Sequence, residues 1–114
     1  MSKAAKLKIY IEAGTDFELD FVFRDSNQVA IDITGCTLDA LVAATVNDVA
    51  LATFTGTVTD GPNGKGKLFL PGSESLKLNT ITSGWWQVDL TAADHTVRRI
   101  IEGPVTVAPK IKAA

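Results

Sequence analysis

The stretch FELDFVFRDSNQVAIDITGCTLDALV, residues 17–42, decides the fold. Phe17, Leu19, Phe21 and Phe23 occupy every second position of its first segment. A helix would scatter these four large side chains around its circumference, whereas a strand places all of them on one face. The segment RDSNQ follows, and its Asp, Ser and Asn residues favour local turns. The sequence therefore predicts a strand that ends in a reversal at residues 25–28.

The same two-residue period recurs along the chain and predicts further strands. They are expected at residues 7–11, 37–44, 49–59, 67–70 and 84–92, with a short extended piece at 29–35 and two last segments at 96–103 and 104–111. A helix over residues 37–52 is the alternative for one segment, because alanine and leucine favour helices, but its threonines and valines favour a strand. Gly56 is a possible bulge, the glycine-rich segment at 61–66 a hairpin turn, and Ser73 the cap of one helical turn.

Short strands about ten residues apart, separated by turn residues, are typical of an antiparallel sandwich. We therefore predict an all-β fold of about 7–9 short strands. The chain has 114 residues, which suits one domain. The domain is expected over residues 7–110, between an N-terminal arm at 1–6 and a C-terminal tail at 111–114.

Charge and hydropathy argue against several classes of partner. The formal net charge of −2 gives no general attraction to nucleic acid. The densest apolar segment, residues 40–46, is far shorter than the roughly 20 residues that cross a bilayer. The N-terminus lacks the apolar stretch of a signal peptide, since Lys6, Lys8 and Glu12 interrupt it. No nucleic-acid or membrane partner is predicted.

The residues that could carry chemistry are few and scattered. His95 is the single histidine and is expected in a turn, without a visible partner to orient it as a base. Cys36 is the single cysteine and is expected to be a small buried side chain. One histidine and one cysteine give no zinc-ligand pair at short spacing. The sequence predicts no enzymatic activity, no cofactor and no metal site.

Charged residues on the predicted strands are open to two interpretations. Asp16, Glu18 and Asp20 share one face of the second strand, where they could bind calcium or form a solvated face paired with lysines of a neighbour. The second interpretation is favoured. Of Arg98 and Arg99, one is expected to lie outside while the other meets a carboxylate or a sheet edge.

Trp85 and Trp86 are adjacent, so in a strand they point in opposite directions. One is expected to fill the core while Trp85 faces outward, either as an interface anchor or partly covered by a loop of the same chain. Lysines on both terminal arms and other outward aromatic residues complete the predicted interface. Its candidate residues are Lys3, Lys6, Tyr10, Phe69, Trp85, Lys110 and Lys112.

Two segments carry a resemblance to a known family. The segment AGTDFELDFVFRDSNQVAIDITGCTLDALV, residues 13–42, resembles the start of small immunoglobulin-like proteins from the virion gene clusters of tailed bacteriophages. It is also similar to the N-terminal domain of phage baseplate upper proteins. The segment GWWQVDLTAADHTVRRIIEGPVTVAP, residues 84–109, matches the family's ending. Asn27 stands where a glycine is usual, and Trp86 where a tyrosine is common.

The resemblance implies an antiparallel immunoglobulin-like β-sandwich and a structural role in a phage particle. The expected role is a tail, baseplate or fibre-attachment protein, made in the host cytoplasm and built into the virion in several copies beside other virion proteins. A capsid decoration protein is the alternative within that class. A carbohydrate- or receptor-binding module, with Trp85, Phe69 or Tyr10 stacking on sugars, is an alternative from another class, and an enzyme accessory domain ranks last.

Overall fold

The computed structural model of the chain describes residues 5–25 and 27–111. These residues form eight strands: Ala5–Lys6 (β1), Ile9–Glu12 (β2), Phe17–Val22 (β3), Thr37–Ala43 (β4), Ala52–Asp60 (β5), Lys65–Leu70 (β6), Ser83–Thr91 (β7) and Val97–Ala108 (β8). One helical turn, Gly72–Ser75 (α1), and two 3₁₀ segments, Gly61–Asn63 and Leu76–Thr80, connect them. The prediction of an all-β fold is confirmed, and the helix considered over residues 37–52 is absent.

The strands form one continuous mixed sheet in the order β1-β8-β7-β4-β5-β6-β3, and β2 also pairs with β8. Neighbouring strands are antiparallel except at one end, where β1 and β2 both run parallel to β8. The expectation of a wholly antiparallel fold is therefore wrong at this end. Alternation in a sequence reports which face a side chain occupies and carries no information about the direction of a partner strand.

A short connection between β2 and β3 curls the sheet. These strands lie at opposite ends of the strand order, yet residues 13–16 alone join them. The turn is held by the backbone N–H and the hydroxyl of Thr15, which both donate to the Glu12 carbonyl, at 3.1 and 2.7 Å. Because four residues span little more than about 13 Å, the two ends of the sheet must approach each other.

The concave side of the curled sheet holds the core. Trp86, Val88 and Leu90 of β7 are buried while the residues between them are half-buried, which confirms the predicted alternation. Phe54 packs in the same core, with its ring centroid 6.0 Å from that of Phe17 and 5.9 Å from that of Trp86. Inward residues of β2, β4, β6 and β8 complete the cluster, among them Ile9, Ile11, Leu38, Ala40, Val42, Leu68, Leu70, Val105 and Val107.

Two local predictions need correction. The irregularity in β5 lies between Val58 and Asp60, not at Gly56. Position 56 favours glycine for another reason, since a Cβ there would lie 2.6 Å from Leu38 of β4. Pro71, not Ser73, precedes the helical turn, and it makes no side-chain cap. The short extended piece predicted at 29–35 forms one bridge, Arg24 to Ala30, before Asp32 accepts from the N–H of Thr34 in a turn.

The predicted ends of the chain also differ from the structure. Ala5 and Lys6, expected in the N-terminal arm, form β1 beside Ile101 and Glu102. The last two predicted segments form one twelve-residue strand, β8. Among the described residues, no helix has the length and apolar character needed to cross a bilayer.

Candidate docking surface

The two adjacent tryptophans lie on opposite faces of β7, as predicted. Trp86 is fully buried, and its indole Nε1 donates a hydrogen bond of 2.9 Å to the carbonyl of Leu7. Trp85 is half-buried on the convex, outer face of the sheet. The alternation of the strand therefore assigns one ring to folding and leaves the other available at the surface.

Trp85 belongs to a small apolar surface on the outer face. It lines a hollow of about 80 Å³ together with Leu41 of β4 and Val46 of the following loop. Leu41 is 36% exposed and Val46 67% exposed. We call Leu41, Val46 and Trp85 the outer patch. The loop that carries Val46 lines the ring without burying it, which agrees with partial cover by a loop of the same chain. The role of Trp85 as an interface anchor stays a prediction.

Lys6 lies beside the outer patch. Its ammonium Nζ is 5.9 Å from the centroid of the Trp85 ring, within the range of a cation–π contact. The same ammonium is paired with the carboxylate of Glu102, which also lies 3.8 Å from Nη1 of Arg99. The hydrogen bond from Lys6 and its charge, with a smaller contribution from the charge of Arg99, hold the pKa of Glu102 below its usual range. The rim of the patch therefore carries a fixed ion pair.

Arg98 and Arg99 divide as predicted. Both are exposed on β8, but Arg99 Nε donates to the Asp89 carboxylate at 3.2 Å.

The remaining interface candidates lie elsewhere. Phe69 is half-buried on β6, between Glu18 of β3 and Thr55 of β5. Tyr10 is 56% exposed on β2, and the exposed Lys110 follows β8. Lys3 and Lys112 lie outside the described residues. The structure thus brings Trp85 and Lys6 together and distributes the other described candidates over separate strands.

The acidic face of β3 takes the form that the sequence favoured. Glu18 forms an ion pair with Lys67 of the neighbouring β6, with 3.0 Å between Oε1 and Nζ. The hydrogen bond and charge of Glu18, with a smaller contribution from the charge of Asp20, raise the pKa of Lys67. The prediction that these carboxylates pair with a lysine of a neighbouring strand is confirmed for Glu18.

The other polar groups serve turns. Asp32 accepts from the backbone N–H and hydroxyl of Thr34 at 2.9 and 2.6 Å, and these bonds lower its pKa. Asp94 accepts from the backbone N–H of Thr96 at 3.0 Å, with the same effect on its pKa. His95 lies in that turn, as predicted: its backbone N–H donates to the Ala92 carbonyl at 2.9 Å, and its φ is 70°. Cys36 is half-buried against the core.

The described residues contain no group of three or more side chains that could hold a metal ion.

Sequence reasoning found Trp85 but missed Val46 as its neighbour. The available signal was Leu41, an apolar residue on the polar side of its own strand. Val46 lies in an irregular loop, where no periodicity indicates which surface a side chain joins.

No protein-family model matches this chain, and no curated protein was found to be similar to it.

Proposed function

We propose that this chain is a non-enzymatic structural component of a tailed-phage virion, a tail, baseplate or fibre-attachment protein that docks other virion proteins. The proposal begins from the resemblance carried by residues 13–42 and 84–109. It places the chain in the host cytoplasm during synthesis and in the particle, in several copies, afterwards. Sheet faces, open strand edges and terminal segments are its proposed means of contact.

We also propose that the curled sheet is an immunoglobulin-like sandwich, in which β3 and β6 face β7 and β8 across the core. The contacts of Phe54 support this arrangement, because its ring touches Phe17 of β3 on one side and Trp86 of β7 on the other. Nuclear Overhauser contacts between the inward side chains of β3 and those of β7 are expected. Their absence would contradict the two-layer arrangement.

The observation that carries the docking proposal is the outer patch. A half-buried tryptophan flanked by exposed Leu41 and Val46 provides an apolar centre on an otherwise polar face. Large aromatic side chains with an apolar surround contribute much of the binding energy of protein interfaces. The paired charges of Lys6 and Glu102 supply the polar rim that such interfaces have.

A capsid decoration protein needs the same features, so copy number distinguishes the two locations. Mass spectrometry of purified particles is expected to detect the chain, with a handful of copies for a tail component and hundreds for a decoration protein. Particles that lack the chain would overturn both.

The carbohydrate-binding alternative receives less support from the outer patch. Lys6 lies over the Trp85 ring, where a sugar would stack. The hollow of about 80 Å³ is also well below the roughly 300 Å³ at which ligand pockets begin. Glycan-array binding that is abolished by Trp85→Ala would favour this alternative.

Two valines provide a matched test of the outer patch. Val46→Asp places a charge in the patch, whereas Val29→Asp makes the same change at a residue that is 59% exposed and lies outside it. Because both side chains are exposed, both variants should fold. We expect only Val46→Asp to reduce incorporation into particles, measured by complementation and quantitative mass spectrometry. Equal incorporation of the two variants would exclude the outer patch as the docking surface.

A further inference from the structure

The two end strands of the sheet leave an incomplete edge. Among the described residues, β2 pairs only with β8, and β3 pairs only with β6. A four-residue turn connects them, so both open edges lie on the same side of the molecule. An unpaired edge presents backbone donors and acceptors that can pair with another strand.

The backbone groups available on β3 follow from its register. The N–H of Phe23 donates to Gly64 on the β6 side at 2.7 Å. Because donors alternate in direction along an antiparallel strand, the N–H and C=O groups of Glu18, Asp20 and Val22 point away from β6. An added strand could pair with these three residues.

The inward side chains of β3 are incompletely covered. Phe17, Leu19 and Phe21 of β3, and Phe23 directly after it, pack against the core but are only half-buried. Near the end of the strand, a cleft of about 280 Å³ separates Phe21 and Phe23 from Ala5, Ile100 and Ile101 of the opposite end of the sheet. A strand added to β3 would place alternate side chains over this apolar row.

The outward side of β3 is acidic. Asp16, Glu18 and Asp20 are all exposed, and Lys67 forms an ion pair with Glu18 alone among them. A strand added here should therefore carry apolar residues on its inward side and lysines on its outward side.

The segment at residues 109–112 of this chain has that pattern. Ile111 is 90% exposed, the largest exposed fraction among the large apolar side chains of the described residues. Lys110 and Lys112 flank it in the sequence, so an extended segment would direct both lysines to one side and Ile111 to the other.

This segment leaves its own molecule away from the cleft. Strand β8 runs from the cleft at Ile100 and Ile101 to its end at Ala108, beside Glu12. The N–H of Lys110 then donates to the side chain of Asn79 at 2.7 Å. The direction of the chain therefore favours insertion into another copy.

We propose that residues 109–112 of one copy add as a strand to the open edge of β3 of a second copy, with Ile111 against the apolar row and the lysines facing Glu18 and Asp20. The two surfaces differ, so the contact is head-to-tail and repeats from copy to copy. It concerns the contact of the chain with itself and does not depend on the proposed virion function. An added strand this short buries much less than about 1,200 Å², so the association should be weak.

The test uses the purified full chain, without phage particles. Sedimentation velocity is expected to show an average mass that rises with protein concentration and falls when salt is added. Two-dimensional amide NMR spectra over the same concentrations should shift at residues 17–23 and 109–112. Ile111→Asp should abolish the rise in mass, while Val49→Asp, which places the same charge at an apolar residue that is 82% exposed, should leave it unchanged.

A charge exchange tests the orientation of the added strand. Asp20→Lys should weaken the association at least tenfold, and combining it with Lys110→Glu and Lys112→Glu should restore it. A monomer at all concentrations, association that survives Ile111→Asp, or loss of association in Val49→Asp would each overturn the proposal. None of these results bears on whether the chain is present in particles.

Discussion

At the scale of single residues, the adjacent tryptophans separate stability from docking. Trp86→Ala removes a fully buried side chain and its bond to Leu7, so we expect unfolding to become easier by about 3–5 kcal/mol. Trp85→Ala removes a half-buried ring and should cost less than about 1 kcal/mol. Urea unfolding measures both. Similar losses in the two variants would contradict the assignment of Trp86 to the core and Trp85 to the surface.

The ion pair at Glu102 makes a prediction about pH. Lys6 lowers the pKa of Glu102 in the folded chain, so the unfolded chain binds more protons at acidic pH. The contribution of this group is present above about pH 4.3, the usual pKa of a glutamate, and is lost as the pH falls through the lower folded value. Lys6→Ala should therefore lower the stability above about pH 4.3, and the difference from the parent chain should disappear as the pH falls through the folded pKa of Glu102.

Lys8→Ala is the matched control, because it removes the same charge two residues along the chain. Thermal unfolding between pH 2 and 7 would compare the variants. An equal pH-dependent loss of stability in both variants would show that net charge, not the pair with Glu102, causes the effect.

At the scale of elements, Ser75 fixes the turn between β2 and β3. Its hydroxyl is buried, accepts from the N–H of Gly14 at 3.0 Å and donates to the carbonyl of Thr15 at 2.7 Å. Ser75→Ala would leave both groups without this partner, and we expect a loss of about 1–3 kcal/mol. Ser73→Ala, at the exposed serine two residues earlier, is the control and should be nearly neutral. Chemical denaturation of both variants would decide between them.

The turn between β5 and β6 requires glycine for two reasons. Gly64 has a φ of 68°, and a Cβ there would lie 2.5 Å from the Phe23 carbonyl oxygen. Gly35 has a similar φ of 77° but open space around it. We expect Gly35→Ala to cost about 1–2 kcal/mol from backbone strain alone and Gly64→Ala to cost clearly more. Equal unfolding midpoints would show that the carbonyl can move aside.

The elements also show what sequence reasoning could reach. Alternation identified β3, β4 and β7 because each strand alternates more exposed residues with residues that face the core, and this pattern is local in the sequence. It missed the parallel pairing of β1 and β2 with β8, which joins residues that lie more than 90 positions apart. It also missed the role of Ser75, since Ser75 bonds to residues 60 and 61 positions away.

For the candidate site, too, local features were predictable from the sequence and long-range contacts were not. The outward position of Trp85 was predictable from two adjacent tryptophans in a strand. Its contacts with Lys6 and Val46 were not, because they depend on how β1 and an irregular loop pack against the finished sheet.

At the scale of the whole molecule, the two ends of the chain make unequal contributions. Leu7 bonds to β8 through its N–H and to Trp86 through its carbonyl, at 3.0 and 2.9 Å. Ile111, near the other end, is 90% exposed, and the contact described for its segment is the bond from Lys110 to Asn79. The N-terminal strands therefore contribute to the fold, whereas the described residues after β8 lie largely at its surface.

Deletions from the two ends of the chain test this difference. Removing residues 1–7 deletes β1 and the acceptor of the Trp86 indole, which should lower the free energy of unfolding by at least about 2 kcal/mol and shift Trp86 fluorescence to longer wavelength. Removing residues 109–114 should cost less than about 1 kcal/mol, because Ile111, in the described part of this segment, is 90% exposed. If the shorter C-terminal deletion unfolds the protein as readily as the N-terminal one, the segment after β8 belongs to the fold and is not free to join a neighbour.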